Sequence, residues 1–332
     1  MPGTKAQMNY TKTLAAVVLS GLLLAAAPVL ADDAKPAAAA APAATTTATP
    51  AATGDSSPAA LPAGSVLVTE EPDIPLQSWS FSGPFGKYDQ NQLRRGFQVF
   101  KEVCSNCHSA HLFAFRNLDE DGGPEYSAAQ VKALAATYQV SDPTAKGGKR
   151  AALPSDYWPS PFATEQDARD ANGGALPPDF SVLAKARGAE RPLLSWMRDI
   201  IFAYQEGGPD YIHALLNGFH DQVPANIVNA DGTPFKLPAG KYYNDIFPGH
   251  AIGMPPPLSD GLVKYAKGED GSTVPETVEQ YSHDVAAFMM WLSEPSLNQR
   301  KESGFRVIMF LILFAVIMWL VKRRIWSNVE GH

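Results

Sequence analysis

The sequence is poor in cysteine: its 332 residues include only Cys104 and Cys107. A single close pair excludes a fold held together by several disulfides, which would need cysteines spread along the chain. The sequence also lacks a sizeable strand pattern, an internal repeat, a glycine-rich phosphate-binding loop and a basic patch suited to nucleic acid. Hydrophobic residues nevertheless make up 45% of the chain, so it can bury a core.

The first 63 residues are predicted to lie outside the globular part. A basic start precedes an apolar run from Leu14 to Leu30, and a small residue, Ala31, closes it. Residues 1–31 are therefore predicted to be a secretory signal peptide, with an uncleaved membrane anchor as the alternative. Residues 32–63 are rich in alanine, proline and threonine, and this composition predicts a disordered linker.

A second apolar run lies near the other end of the chain. Every residue from Val307 to Val321 is apolar, and Arg306 and Lys322 flank the run. Fifteen residues are few for a bilayer, but the flanking cations can lift their charges to the interface and extend the usable length. Residues 305–322 are therefore predicted to form a transmembrane helix; a buried helix of a soluble protein is the alternative.

The basic cluster Lys322-Arg323-Arg324 predicts the orientation of this helix. By the positive-inside rule, residues 323–332 form a cytoplasmic tail and residues 64–304 form a domain on the exported face of the membrane. The predicted protein is thus an exported domain on a single-pass C-terminal anchor.

The two cysteines belong to the stretch CSNCH, in which His108 follows Cys107 directly. A structural zinc site would need further ligands at suitable spacing, and a thioredoxin-type pair would need a βαβ context. In C-x-x-C-H, two thiols can bind the haem vinyl groups as thioethers while the histidine supplies an axial nitrogen to the iron. This third chemistry uses every position of the motif, so a single covalently attached haem c is predicted.

Two helices are predicted, one directly before the CSNCH motif and one near the end of the exported domain. Asp89 and Gln92 have capping-box spacing. The following helical face would carry Leu93, Phe97, Phe100 and Cys104. A late helix is predicted to begin at Pro275-Glu276 and to end before Pro295, with Val278, Tyr281, Val285, Phe288 and Leu292 on one face.

The second axial ligand decides the chemistry of a haem. Met197, Met289 and Met290 fall at helical spacing among large apolar residues and are predicted to be core residues. Met254 instead lies in GHAIGMPPPL, where three prolines make the chain stiff and exclude a helix. His250 is the alternative ligand in the same segment, whereas His283 is predicted to face solvent from the late helix.

Several motifs together resemble one family. The stretches LRRGFQVFKEVCSNCHS, NGGALPPDFS, AKARG, GGPDYI and GHAIGMPPPL, followed by a C-terminal anchor, are similar to cytochrome c1, the haem subunit of the ubiquinol–cytochrome c reductase (bc1) complex, of bacterial type. The resemblance runs from about Ser80 to Ser327. It implies a mainly α fold: a class I c-type cytochrome-like domain with long loops, plus one transmembrane helix. In class I cytochromes the late helix packs on the haem-bearing helix.

The resemblance also implies the residues of the haem site. Cys104 and Cys107 would take the thioether bonds, and His108 and Met254 would be the axial ligands. Three further residues match the family's haem pocket: Asn172 as a lining residue, and Arg187 and Tyr211 near a haem propionate.

The sequence departs from the family pattern in two places. Phe180 stands where the family usually has leucine, which changes the shape of the core. Residues 188–207 form an insert between two motifs that are nearly adjacent in the mitochondrial members, so the position of Tyr211 is in question.

The resemblance further implies a function in outer-sphere electron transfer. Electrons would arrive from the Rieske iron–sulfur protein and leave to a cytochrome c, within a dimeric complex that contains cytochrome b in the bacterial inner membrane, with the haem domain on the periplasmic side. This complex is a proton-translocating quinol–cytochrome c oxidoreductase, in which the chain itself is an electron carrier. The alternatives are a free-standing membrane-anchored carrier and a haem-based sensor.

Exposed acidic residues are candidates for docking a basic acceptor. They form two clusters in the sequence, one with Asp119, Glu120, Asp121 and Glu125 and another with Glu165, Asp167 and Asp170. Composition alone does not choose between these clusters, and solvated loops without a partner are the alternative.

Overall fold

Two helices that cross at a glycine form the centre of the fold. The computed structural model describes residues 65–70, 72–187, 206–267 and 272–328, which all belong to one compact unit. Its α-helices are α1 (Gln90–Glu102), α2 (Ala128–Ala135), α3 (Glu165–Ala171), α4 (Leu183–Ala186), α5 (Gly207–Asn217), α6 (Val278–Ser293) and α7 (Leu297–Ile325). Short 3-10 turns cover Cys104–Asn106, Phe115–Asp119 and Trp326–Asn328.

Helix α1 begins where its sequence predicts. The Asp89 carboxylate accepts a hydrogen bond from the Gln92 backbone N–H at 2.6 Å, which satisfies one of the free donors of the first turn. The Gln92 side chain does not return to Asp89; it donates to Nδ1 of His283 on α6, at 2.8 Å. Half of the predicted capping box is therefore replaced by a contact between helices.

The buried face of α1 is confirmed over most of its length. Leu93, Phe97 and Phe100 are each at most 4% exposed. Helix α1 ends at Glu102, so Cys104 lies outside the helix and opens a tighter 3-10 turn. Cys104 nevertheless packs against the core, as the predicted face requires.

Helix α6 is the predicted late helix, and it begins slightly later than predicted. The Thr277 side chain caps it by accepting a hydrogen bond from the Gln280 N–H at 3.3 Å, so Pro275 lies outside the helix. Of the predicted face, Tyr281, Val285 and Phe288 are fully buried. The prediction that this helix packs on α1 is confirmed.

His283 does not face solvent as predicted. Its ring lies flat on Trp79, with the ring centres 4.3 Å apart and the planes 5° apart. The bond from Gln92 holds the imidazole in this position. Because Trp79 lies far away in sequence, helical periodicity could not reveal this partner.

The crossing of α1 and α6 depends on Gly96. A Cβ atom at this position would lie 2.1 Å from the Asp284 carbonyl oxygen and 2.7 Å from the Phe288 Cβ. Beside the crossing, the Phe288 ring packs on two rings of α1. Its centre is 5.6 Å from that of Phe97 and 5.4 Å from that of Phe100. The aromatic core thus surrounds the point of closest approach between the two helices.

The strands are short and occur in small sheets. They are β1 (Val66–Leu67), β2 (Gln139–Ser141), β3 (Lys149–Ala151), β4 (Phe219–His220), β5 (Ile227–Val228), β6 (Tyr242–Asn244) and β7 (Ala251–Ile252). Strands β1 and β5 pair in parallel, β2 and β3 pair antiparallel, and an antiparallel sheet has the order β4-β6-β7. The prediction of a mainly α chain is confirmed for the described residues.

Helix α7 contains the apolar run. It has 29 residues and, among the described residues, it is the helix long and apolar enough to cross a membrane by length and composition. At 1.5 Å per residue it extends about 43 Å, so the residues that flank the apolar run on both sides are helical as well. The side chains of the run are exposed along the whole helix.

Several predictions concern residues outside the described ranges. The signal peptide and linker of residues 1–63 lie there, as do residues 188–205 of the insert with Met197, and the last four residues of the tail. These assignments stay predictions.

Candidate haem site

The CSNCH stretch winds into one tight turn at the carboxyl end of α1. The backbone N–H groups of Cys107 and His108 both donate to the Cys104 carbonyl oxygen, at 3.1 and 2.9 Å. The two cysteines and the histidine are thereby held on a single turn of backbone directly after the helix. This is the compact arrangement that attachment of one planar cofactor at three points needs.

The two thiols are free and differ in their surroundings. Cys107 is exposed, while Cys104 packs partly buried against the core. Burial raises the pKa of the Cys104 thiol to about 12. A redox-active pair needs a lowered thiol pKa and is favoured at a helix amino end, whereas this pair follows a carboxyl end. The local electrostatics therefore argue against the thioredoxin-type alternative.

The His108 imidazole is oriented by a backbone carbonyl. Its Nδ1 lies 2.8 Å from the Pro178 oxygen, and since a carbonyl can only accept, Nδ1 carries the proton. The Nε2 atom therefore keeps its lone pair available for a metal. The side chain is 9% exposed, and burial lowers the pKa of His108, which favours the neutral ring that a metal ligand requires.

Phe180 packs directly against this imidazole. The two ring centres are 4.3 Å apart with planes inclined by 31°, and Phe180 itself is buried. The residue noted as a departure from the family pattern is thus in contact with the predicted ligand. Its flat ring fills the space beside His108 and keeps water from that side.

The loop that follows α3 supplies the carbonyl that orients His108. Asn172 ends α3, and its side-chain amide donates to the Ala168 oxygen at 2.7 Å. Gly173 and Gly174 then adopt φ values of +59° and +87°, a region that glycine enters without steric cost. Asn172 therefore helps to set the path of the loop toward Pro178.

Asp179 fastens this loop to the residues after the CSNCH turn. Its carboxylate accepts hydrogen bonds from the Ser109 hydroxyl at 2.8 Å and the His111 backbone N–H at 2.9 Å. Burial alone would raise the pKa of Asp179, but hydrogen bonds from Ser181, His111 and Ser109 hold it below its usual value. The sequence does not predict this role of Asp179; its position directly after two prolines is the signal that points to it.

Met254 lies just beyond β7, on the stiff segment predicted from its prolines. Its side chain is partly buried. The adjacent Gly253 touches the loop that holds His108, since a Cβ atom there would lie 2.9 Å from the Ala175 Cβ. The structure thus brings the methionine segment against the 172–178 loop.

His250, the alternative ligand, is buried in the same segment. Its Nδ1 lies 3.0 Å from the Asn244 oxygen, and its ring stacks on Tyr243 at 5.5 Å. The Nε2 atom is buried and has no hydrogen-bond partner among the residues that the structure describes. His250 therefore also keeps a free donor nitrogen.

Arg187 and Tyr211 are brought close together in spite of the insert. A Cβ atom at Gly208, in the first turn of α5, would lie 1.6 Å from the Ala184 oxygen and 2.8 Å from the Arg187 oxygen. Burial raises the pKa of Tyr211, and the positive charge of Arg187 partly opposes this. The two ends of the inserted segment thus meet in space.

Comparison with known proteins agrees with this arrangement. The sequence profile of the Cytochrome C1 family matches residues 79–329. A cytochrome c1 of Blastochloris viridis is 47% identical over 259 residues, covering 77% of this chain and 87% of that protein. A Candida albicans protein described as the cytochrome b-c1 complex catalytic subunit is 38% identical over 262 residues, covering 78% of this chain and 79% of that protein.

A relative of different length also matches. The cytochrome b/c1 of Bradyrhizobium diazoefficiens is 49% identical over 257 residues, covering 76% of this chain, but the chain spans only 36% of that protein's length. The profile and these relatives cover most of the described residues. The chain belongs to the cytochrome c1 family, of bacterial type. The name of this family implies a haem cofactor.

Proposed function

We propose that this chain is the cytochrome c1 subunit of a bc1 complex and carries electrons from the Rieske iron–sulfur protein to a cytochrome c. The observation that carries the proposal is the His108 imidazole, held by the Pro178 carbonyl with Nε2 free, on the same turn as two free thiols. Membership of the cytochrome c1 family supports the same reading.

One covalently attached haem c fits the donor set. Cys104 and Cys107 would hold it through thioethers, and His108 and Met254 would be the two residues that bind its iron. When bound, it would supply a one-electron iron couple, and a thioether ligand favours a high potential. Two protein ligands leave no position for substrate, so the proposed reaction is outer-sphere electron transfer.

The surrounding residues would keep this site dry and fixed in position. Pro178 keeps the His108 proton on Nδ1, and Asp179 holds the loop that carries Pro178. Phe180 excludes water beside the imidazole. Arg187 and Tyr211, which lie together, would balance the charge of a propionate.

The proposed topology places the haem domain, residues 64–304, on the periplasmic side of the bacterial inner membrane. Residues 1–31 would be the signal peptide and 32–63 a linker, while 305–322 would cross the membrane and 323–332 would remain in the cytoplasm. Exposed apolar side chains along α7 support this anchor. The crossing of α1 with α6 supports a class I cytochrome fold.

Gentle solubilisation of the membranes in mild detergent, followed by identification of the co-purifying subunits, tests this function. We expect cytochrome b and a Rieske protein to accompany the chain, and quinol to reduce a soluble cytochrome c in the presence of the purified complex. A free-standing carrier would instead purify alone.

Carbon monoxide separates the proposal from the haem-sensor alternative. With two protein ligands, the reduced protein at neutral pH should keep its visible spectrum after carbon monoxide is added. A spectral change at low gas concentration would show a labile or open iron position and would contradict the proposed ligand pair.

A further inference from the structure

The turn formed by residues 82–87 presents an aromatic side chain to the outside. Phe85 is 72% exposed and stands at its tip. A Cβ atom at Gly86 would lie 2.1 Å from the Ser82 oxygen, and Gly83 has φ +69°, so the two glycines permit a tight turn. The Lys87 N–H donates to the Ser80 oxygen at 3.0 Å and closes the base. Phe85 is thus carried on a closed, well-defined turn.

This turn is fastened to helix α7 at three levels. At its base, the Tyr88 N–H donates to Asn298 Oδ1 at 3.2 Å, and the Lys301 ammonium donates to the Phe81 carbonyl oxygen. At its tip, the Phe85 ring meets Phe305 edge-on, with centres 5.6 Å apart. The turn therefore runs along α7 from its first residues toward the apolar run.

The three contact positions on α7 share one helical face. Asn298, Lys301 and Phe305 are spaced by three and four residues, which places them in a row. Helix α7 is continuous from Leu297, so the tip of the turn is held at the level of Phe305. At 1.5 Å per residue, this level is about 3 Å from Val307, where the uninterrupted apolar run begins.

The residues at this level have the character of a membrane interface. Lys87 and Arg306 are exposed beside the two phenylalanines, and the turn from Ser82 to Lys87 contains no acidic residue. Aromatic rings accompanied by basic side chains are enriched where the hydrocarbon core meets the headgroups.

We propose that the Phe85 turn is a second membrane contact of this protein, inserted into the headgroup region of the bilayer beside the anchor. The inference rests on the proposed membrane span of α7, because the apolar surface of α7 continues directly into the tip of the turn. A transmembrane helix of another subunit is the competing occupant. It would be expected to meet an uncharged apolar face, whereas Phe85 and Phe305 lie beside the exposed cations Lys87 and Arg306.

Site-specific photo-crosslinking in intact membranes tests the contact. p-Benzoylphenylalanine placed at position 85 of the full chain should yield adducts of lipid mass upon illumination. The same group at Leu153, which is 49% exposed next to β3, is the matched control and should give no lipid adduct. Adducts with protein subunits alone, or lipid adducts of equal yield at both positions, would overturn the proposal.

A conservative substitution gives an independent readout. Phe85→Trp keeps an aromatic ring, and its added fluorescence should be lost when the purified complex is placed in nanodiscs of brominated lipid, while that of Leu153→Trp should not. Unquenched emission from position 85 would overturn the proposal.

Alkaline carbonate washing of the membranes distinguishes failure of the proposed span from failure of the second contact. Release of the chain would refute the span of α7 itself, whereas retention of the chain without labelling at position 85 would refute only the second contact.

Discussion

At the scale of single residues, the site depends on which donor atoms the fold leaves available. His108 is oriented by the Pro178 carbonyl and keeps Nε2 free. In the segment before the three prolines, both the Met254 sulfur and the His250 Nε2 could serve as the second ligand. The two differ in consequence, since a thioether raises the potential of a haem relative to a second imidazole.

Replacing each candidate in turn distinguishes them. We expect Met254→Leu to retain covalently attached haem but to lower its midpoint potential by on the order of 100 mV or more, because the thioether is lost. Quinol-dependent reduction of cytochrome c should fail with it. Redox titration of the purified complex measures the first effect.

His250→Asn is the control for this experiment. Its side chain can keep a bond to the Asn244 oxygen while removing the imidazole, and we expect the potential to stay close to that of the parent protein. A fall in potential for His250→Asn, with an unchanged titration for Met254→Leu, would reverse the assignment.

Single residues of the site were predictable from sequence when their chemistry is local. The CSNCH motif by itself indicates the proposed attachment and ligand residues, and the prolines beyond Met254 indicate a stiff segment. The role of Pro178 was not predictable, since it acts through a backbone carbonyl that any residue possesses. Phe180 appeared as a family departure, but its contact with His108 depends on how the loop folds back.

At the scale of elements, the CSNCH turn directly follows α1, which crosses α6 at Gly96. We expect Gly96→Ala to destabilise the protein by about 1–3 kcal/mol, because its methyl group would meet the Asp284 carbonyl oxygen at 2.1 Å and force the helices apart. Thermal unfolding of the detergent-solubilised complex, followed through the haem absorbance, measures the change.

Gly304→Ala on α7 is a matched control, because a Cβ atom there has open space around it. It replaces glycine by alanine within a helix as well, so it should be neutral or slightly stabilising. Equal losses for the two substitutions would mean that the added methyl group destabilises the protein independently of the crossing, and would contradict this assignment.

The contact between α5 and α6 predicts a pH dependence of stability. His213 is 3% exposed, with Nδ1 2.9 Å from the Ser282 Oγ. Burial lowers the pKa of His213, although Glu279 partly opposes the shift. The unfolded chain therefore takes up a proton before the folded chain as pH falls below about 6.5, and stability present above that pH is lost at up to about 1.4 kcal/mol per pH unit.

His213→Asn should reduce this loss. We expect its unfolding midpoint to fall less steeply between about pH 7.5 and pH 5.5 than that of the parent protein. A slope for His213→Asn parallel to that of the parent protein would contradict the assignment.

Periodicity predicted α1 and α6 better than it predicted their ends, and it did not predict the shorter helices α2 to α5. The buried faces of α1 and α6 follow from apolar spacing, which local sequence records. The contact of Gln92 with His283 arises from a tertiary partner, which spacing does not report. The meeting of Arg187 with α5 across the insert belongs to the same kind of information.

At the scale of the whole molecule, the two acidic clusters occupy different places. Backbone carbonyls of Asp121 and Gly122 accept hydrogen bonds from Gln299 and Asn298, so the first cluster lies beside the start of α7. The second cluster is on α3, which leads into the loop that holds His108. The second cluster is thus on the element that leads directly into the loop of the candidate haem site.

We therefore expect the second cluster to steer a basic acceptor. Glu165→Lys with Asp170→Lys should reduce the association rate with cytochrome c roughly threefold to tenfold at low salt, and the difference should shrink as salt screens the charges. Asp167 is left intact because its carboxylate caps α3 by accepting from the Thr164 N–H. Stopped-flow oxidation of the reduced complex by cytochrome c measures the rate.

Asp119→Lys with Asp121→Lys gives the same change of charge near the anchor. This pair should slow association much less, because the effect of charge depends on its distance from the docking face. A larger effect from this pair would place the docking face next to α7.

The short junction between α6 and α7 limits how far the domain can move relative to its anchor. Only Glu294, Pro295 and Ser296 separate α6 from α7, and the Glu294 carboxylate is paired on both sides, with Lys185 and with Arg300. A connection of three residues that is held by two ion pairs leaves the domain little freedom to rotate relative to α7. The partner proteins would then have to move between electron donor and electron acceptor, while the domain of this chain stays in a fixed position relative to its anchor.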